Sequence, residues 1–241
     1  MSTKIEWTNE TWNPVTGCTK CSEACEHCYA ETMTRRLKAM GQAKYDNGFG
    51  EVAFHPGSLK EPLKWKRKSR MVFVCSMSDL FHTSVPDWFI GYVMDVIRYC
   101  PQHTFQILTK RAGNMVSYVR QYGVPQNVWL GVTCENNRHY DRVKALASLD
   151  VPNVKFVSCE PLLSDVSDMP LDGINWVILG GETGSQARMM NTEWAQGLMW
   201  NCEQHGVPFF FKRWGTYLER LGQEPERDMI PEGWRQWPIM G

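Results

Sequence analysis

The sequence predicts an α/β fold, a complete or partial barrel of about six β/α units. Three observations predict it. From residue 71 onward a short apolar run, a polar cluster at its end and a helical stretch recur six times. The runs are continuously apolar, as strands buried on both faces of a parallel sheet are. With 241 residues and 43% hydrophobic content, the chain is long enough for one substantial core.

A first strand is implied before Cys18, and residues 29–41 read as a helix stopped by Gly41. Residues 42–70 form an irregular insertion or lid, broken by Gly48, Gly50, Pro56, Gly57 and Pro62. It closes on the one basic cluster, Lys60, Lys64, Lys66, Arg67, Lys68 and Arg70 around Trp65, which is either a solvated face or a phosphate contact. The six runs then follow at 71–75, 104–108, 128–132, 154–157, 176–179 and 208–211. Between them, 85–99 reads as a helix with Pro86 at its start, and 141–149 as one with Val143, Leu146, Ala147 and Leu149 inward. The stretch 192–205 takes Thr192 as N-cap and Gly206 as stop. Residues 1–216 thus make the barrel, and 217–241 a polar, proline-rich tail packed over it with Trp234 and Trp237.

Composition excludes several functions. The 26 basic and 26 acidic residues cancel, so a free-standing nucleic-acid binder is not expected, and any such contact is a local patch or one flipped unit. No apolar run approaches the roughly 18 residues of a membrane span, so the protein is expected to be cytoplasmic, without a membrane partner. Nine cysteines without an export signal point to metal chemistry rather than disulfides. Cys75, Cys100, Cys134, Cys159 and Cys202 are scattered and read as small buried side chains.

The other four fall in eleven residues, Cys18, Cys21, Cys25 and Cys28. Cys18-x2-Cys21 and Cys25-x2-Cys28 are metal-binding pairs, and structural zinc is one reading. Only three residues separate the pairs, which is short for two arms facing each other around a tetrahedron. A [4Fe-4S] cluster instead suits three or four thiolates wrapped by a short loop. Cys21-x3-Cys25-x2-Cys28 is similar to the spacing of the radical S-adenosylmethionine (SAM) superfamily, in which three cysteines leave one iron open to SAM.

The stretches Trp12-Asn13-Pro14-Val15-Thr16-Gly17-Cys18 and Cys25-Glu26-His27-Cys28-Tyr29-Ala30-Glu31 resemble the phage and prophage three-cysteine-motif family. That resemblance implies Cys18, Cys25 and Cys28 as cluster ligands, with Cys21 the alternative first ligand. It implies a radical SAM-type partial TIM barrel with the cluster loop after the first strand, and SAM and a [4Fe-4S] cluster as cofactors. Gly180-Gly181-Glu182 resembles the superfamily's GGE motif for the SAM amino group, although it stands late in the chain. Ser76, Ser78 and Asp79 are equal candidates for that group, and Glu135 and Glu160 suit ribose hydroxyls or a substrate amine. Lys110, Arg111, Arg188, Lys212 and Arg213 suit a phosphate or carboxylate of the substrate.

The implied chemistry is hydrogen abstraction by a 5′-deoxyadenosyl radical, with an electron donor of flavodoxin or ferredoxin type. Members of the resembling family are linked to thymidine hypermodification of viral DNA, a restriction-evasion chemistry. They include an isomerase that moves a glycyl substituent from nitrogen to carbon attachment on thymine. The expected partner is then a modified nucleotide or DNA, with the base flipped into the site. Two other readings are a repair lyase resembling spore photoproduct lyase and a zinc-stabilised nucleic-acid-binding protein without catalysis.

Overall fold

The computed structural model describes residues 3, 5–65, 68–221 and 233–238. Its contacts divide the chain into two compact units. The first holds the chain up to Cys21, Cys28–Leu130 and Val151–Asn153, and the second holds Ser22–His27, Gly131–Asp150 and the chain from Val154.

In the first unit, β1 (Glu10–Trp12) lies parallel to β4 (Met71–Val74), and β4 lies parallel to β5 (Thr104–Thr109). Of these, β4 buries Val72, Phe73 and Val74, as its continuous apolar run requires, whereas β1 buries Glu10 and β5 buries Gln106. A small ribbon pairs β2 (Val15–Thr16) antiparallel with β3 (Ala53–Phe54). Three helices accompany the strands: α1 (Tyr29–Ala39), α2 (Asp87–Arg98) and α3 (Ala112–Tyr122). Helix α2 buries Phe89, Ile90, Val93, Met94 and Ile97, one stripe at helical spacing. At about 1.5–3 kcal/mol for each large apolar side chain buried, that stripe is what anchors α2. By contrast α1 buries only Ala30 and Thr34. Its exposed Lys20–Glu31 ion pair, 3.1 Å, adds under about 1 kcal/mol.

Residues 42–65 fasten to the strand that leads into the cysteine loop. Beyond the β2–β3 pairing, Cys18 N donates to Phe49 O at 2.7 Å. Tyr45 packs with Ala30 and Met77, with Cys28, Leu37 and Phe49 against them. Of the basic cluster, Lys66 and Arg67 lie outside the described residues. Arg70 is paired with Glu10 at 2.7 Å and lies over the Trp65 ring.

In the second unit, β7 (Lys155–Cys159), β8 (Trp176–Gly180) and β9 (Phe209–Arg213) are parallel. Strand β6 (Val128–Thr133) contributes its first half to the first unit and its second half to the second. All six β6 residues and all five β8 residues are buried. The helices are α4 (Tyr140–Ala147), α5 (Thr192–Gln204) and the short α6 (Tyr217–Arg220). The six strands expected from residue 71 are all present. The unit after β7 departs from the pattern, because no helix follows it. Residues 160–175 run as turns, with Pro161, Pro170 and three aspartates breaking helical continuity. A second departure is the cap of α5: Asn191, not Thr192, caps it, its Oδ1 accepting from Glu193 N at 3.0 Å.

Of the tail, residues 222–232 and 239–241 lie outside the described residues. Trp234 is buried against Phe209 and Phe211, and Trp237 stacks on Trp176 at 5.0 Å. No described helix is long and apolar enough to cross a membrane.

Gly131 tests the packing of the second unit. A Cβ there would meet the Phe156 ring at 2.3 Å, and the residue sits in the middle of β6. Gly131→Ala is expected to lower the free energy of unfolding by about 1–3 kcal/mol through overpacking, read as a lower urea midpoint.

Candidate functional site

The cysteine loop leaves β2 through Gly17, whose φ of +80° favours glycine. A Cβ there would also come within 1.9 Å of Glu51 O, so the main chains approach closely. Ser78 Oγ donates to Gly17 O, and Asn13 Oδ1 accepts from Met77 N at 3.0 Å and Ser76 Oγ at 3.2 Å. The polar residues after β4 therefore brace the entry to the loop. Its exit is the N-terminus of α1, where Cys28 is the cap residue and Tyr29 Oη donates to Ser76 O.

One charged knot in the first unit reaches the first thiol. Arg111 Nη1 donates to Asp79 Oδ2 at 2.9 Å and contacts Cys18 Sγ at 3.7 Å. Its Nη2 donates to Thr19 O at 2.9 Å and Thr19 Oγ1 at 3.1 Å. Asp79 is buried and also accepts from Thr109 Oγ1 at 2.7 Å, Phe81 N and Lys110 N, so its oxygens are in use. Burial alone would lower the Arg111 pKa, but Asp79, Cys18 and Cys21 outweigh it and the guanidinium is held more firmly charged than usual. A cation beside Cys18 favours its thiolate. His82 is pushed down by burial and by Arg111. Its Nδ1 accepts from Ser84 N at 3.0 Å, which leaves the neutral-ring proton on Nε2 to bond Thr19 Oγ1 at 2.7 Å.

The thiols outside the loop are different. Cys75, Cys100, Cys134, Cys159 and Cys202 are buried, and burial pushes every one upward, Cys134 and Cys202 to about 12. In the loop, Cys18, Cys25 and Cys28 are half-buried and Cys21 is exposed. Of these, Cys18, Cys21 and Cys28 belong to the first unit, and they form no group with ligand atoms within 4.8 Å of one another. Sulfurs on one tetrahedral zinc, at Zn–S about 2.3 Å, sit about 3.8 Å apart. The all-thiol donor set fits a multi-iron cube chemically.

Residues 22–27, the middle of the loop, are held within the second unit. Glu182 is buried and accepts from Arg188 N and Nε at 2.8 Å and from Arg188 Nη2 at 2.6 Å. His27 Nδ1 lies 3.2 Å from Glu182 Oε2. Arg188 then reaches the loop, Nη1 to Glu26 Oε2 at 3.1 Å and Nη2 to Glu23 O at 3.0 Å. Burial tends to raise the Glu182 carboxyl, but the Arg188 and His27 bonds outweigh it and its pKa is lowered. The glycines before it serve packing: a Cβ on Gly181 would meet Trp214 O at 2.0 Å, and one on Gly180 would meet Glu160 Oε1 at 2.9 Å.

At neighbouring strand ends, Glu160 pairs with Lys212 at 2.7 Å and accepts from Ser158 Oγ at 3.1 Å. Glu135 is fully buried and pairs with Arg142 at 2.9 Å. The first unit thus brings together Ser76, Ser78, Asp79, Lys110 and Arg111, and the second brings Glu182 to Arg188 and Glu160 to Lys212. Arg111, Arg188 and Lys212, read from sequence as grips for a substrate anion, are each engaged with a carboxylate of the chain itself. Lys110 is half-buried and Arg213 exposed, with Gly181 N donating to Arg213 O at 2.9 Å. Sequence reasoning missed Thr19, His82, Glu23, His27, His139 and Arg142. His27 carried a signal, since it lies inside Cys25-x2-Cys28.

The Glu182–Arg188 pair gives a pH test. A carboxyl lowered on folding stabilises above its ordinary value of 4.5, and that stability is lost as pH falls through the lowered value. Arg188→Gln is therefore expected to destabilise by about 1–3 kcal/mol at pH 7, because buried Glu182 loses its guanidinium and keeps only the backbone N of residue 188 and His27. Urea titrations should show this difference shrinking as the pH falls below 4.5.

Among curated proteins none matches the sequence. A solved structure titled spore photoproduct lyase complexed with dinucleoside spore photoproduct aligns with a TM-score of 0.47 at 9% identity, covering 79% of this chain. The chain spans 59% of the length of that protein. Residues 2–235 match the model of DUF5131, described as a protein of unknown function, and the chain belongs to that family.

Proposed function

We propose that the chain is a radical SAM enzyme in which Cys18, Cys25 and Cys28 hold a [4Fe-4S] cluster. The observation that carries this reading is the loop: four unbridged thiols in eleven residues, with cations of the chain fastened to it. Half-buried Cys18, beside Arg111, is favoured over exposed Cys21 as first ligand. When bound, cluster and SAM supply a 5′-deoxyadenosyl radical that abstracts hydrogen from a substrate. The chain's own contribution is to orient and to shield. Arg111 offsets negative charge at Cys18, and Arg188 fixes Glu23 and Glu26 on either side of Cys25. Glu182 and Glu160, at successive strand ends, are the acids we assign to accept from the amino and hydroxyl groups of a nucleoside cofactor. The substrate we propose is a modified thymidine in DNA, and the reaction an isomerisation of its glycyl substituent from nitrogen to carbon attachment.

Anaerobic reconstitution tests the first part. About four irons per chain, and 5′-deoxyadenosine on adding SAM and dithionite, are expected. Cys25→Ala and Cys28→Ala should abolish both, Cys18→Ala should too, and Cys21→Ala should retain them. One stoichiometric zinc and no 5′-deoxyadenosine would sink the reading. For the substrate, nucleoside mass spectrometry of treated glycyl-thymidine DNA should show a product of unchanged mass and altered retention. A cleaved product would instead make the enzyme a lyase.

A further inference from the structure

Glu23, Glu135 and His139 converge in the second unit with ligand atoms all within 4.8 Å of one another. Glu23 Oε2 lies 3.0 Å from His139 Nε2, and Glu135 Oε1 lies 3.5 Å from the same nitrogen. Two ligands bonded at about 2.1 Å to a single ion stand about 3.0–3.4 Å apart for angles between square and tetrahedral, so the 3.0 Å spacing matches a shared metal and the 3.5 Å one is a small adjustment away. The other oxygen of each carboxylate is already occupied. Arg138 Nη1 is 3.2 Å from Glu23 Oε1, and Arg142 Nη1 is 2.9 Å from Glu135 Oε2. Metal sites are commonly built this way, with neighbours holding the outer oxygens and leaving the inner ones aimed at the ion.

A second observation is independent of the cluster. Glu135 is fully buried, and its inward oxygen, Oε1, accepts no hydrogen bond. The 3.5 Å approach of His139 is within ion-pair range but does not meet hydrogen-bond geometry. A buried carboxylate oxygen left without a donor costs about 1–3 kcal/mol or more, and a cation removes that cost. Asn136 Nδ2 lies 3.4 Å from Glu23 Oε2.

We infer that Glu23, Glu135 and His139 form a binding site for a divalent transition-metal ion, separate from the thiols. Two carboxylates and an imidazole suit Mn²⁺, Fe²⁺ or Zn²⁺ better than Ca²⁺ or Mg²⁺, which favour all-oxygen ligands. The site ties Glu23, between Cys21 and Cys25, to the loop after β6. Its existence does not depend on the radical SAM reading.

Mn²⁺ is the probe, because thiolates prefer softer ions and the cysteine loop then competes least. With the full wild-type chain in anaerobic buffer, the signal of free Mn²⁺ in electron paramagnetic resonance should fall until one ion per chain is bound. Affinity should drop at least about tenfold in His139→Ala and in Glu135→Gln. Mn²⁺ should raise the melting temperature of the wild type and leave that of His139→Ala unchanged. Should Glu135→Gln fail to fold, His139→Ala decides alone, since its side chain is partly exposed. If Mn²⁺ stays free, or binds His139→Ala as tightly as wild type, the three side chains are only an ion-pair knot and the inference is overturned.

Discussion

Holding four thiols on a loop that packs little apolar surface is the constraint on which the rest of the structure depends. A helix such as α2 is anchored by its buried stripe, but the loop from Cys18 to Cys28 has only Ala24 fully buried among its residues. Charge takes the place of packing. In the first unit Arg111 ties Thr19 and Cys18 to buried Asp79, and in the second Arg188 ties Glu23 and Glu26 to buried Glu182. Arginine suits this task because its planar fork bonds several acceptors at once while remaining charged.

The same arrangement recurs at the strand ends. Acids at the strand ends are met by cations from neighbouring elements: Asp79 by Arg111, Glu135 by Arg142, Glu160 by Lys212 and Glu182 by Arg188. Each pair is at least partly withdrawn from water, so removing one partner strands a buried charge, which costs far more than the few tenths of a kcal/mol of an exposed pair. Polar strand ends are thus a framework as well as candidate chemistry, and a ligand reaching these acids would have to share them with the arginines and the lysine.

Much of the fold was legible because buried parallel strands write themselves as uninterrupted apolar runs; all six appear within a residue or two of where those runs lie. The missing helix after β7 was less legible, since only the turn-forming residues of 160–175 argue against it. At α5, Asn191 and Thr192 are adjacent capping types, and periodicity does not choose between them. At the site, the thiols and the strand-end acids were evident as residue types, but pairing was not. Asp79 meets Arg111 across 32 positions and Glu23 meets His139 across 116, and no local spacing records such distances.

The contrast between the two kinds of cysteine also carries a redox consequence. Five thiols are buried and held protonated, and protonated sulfur is a poor target for peroxide. Cys18 is partly open to solvent with a guanidinium against its sulfur, the setting in which oxidation to sulfenic acid or a disulfide begins. Oxidation in this molecule is therefore expected to start in the loop and to spare the buried thiols.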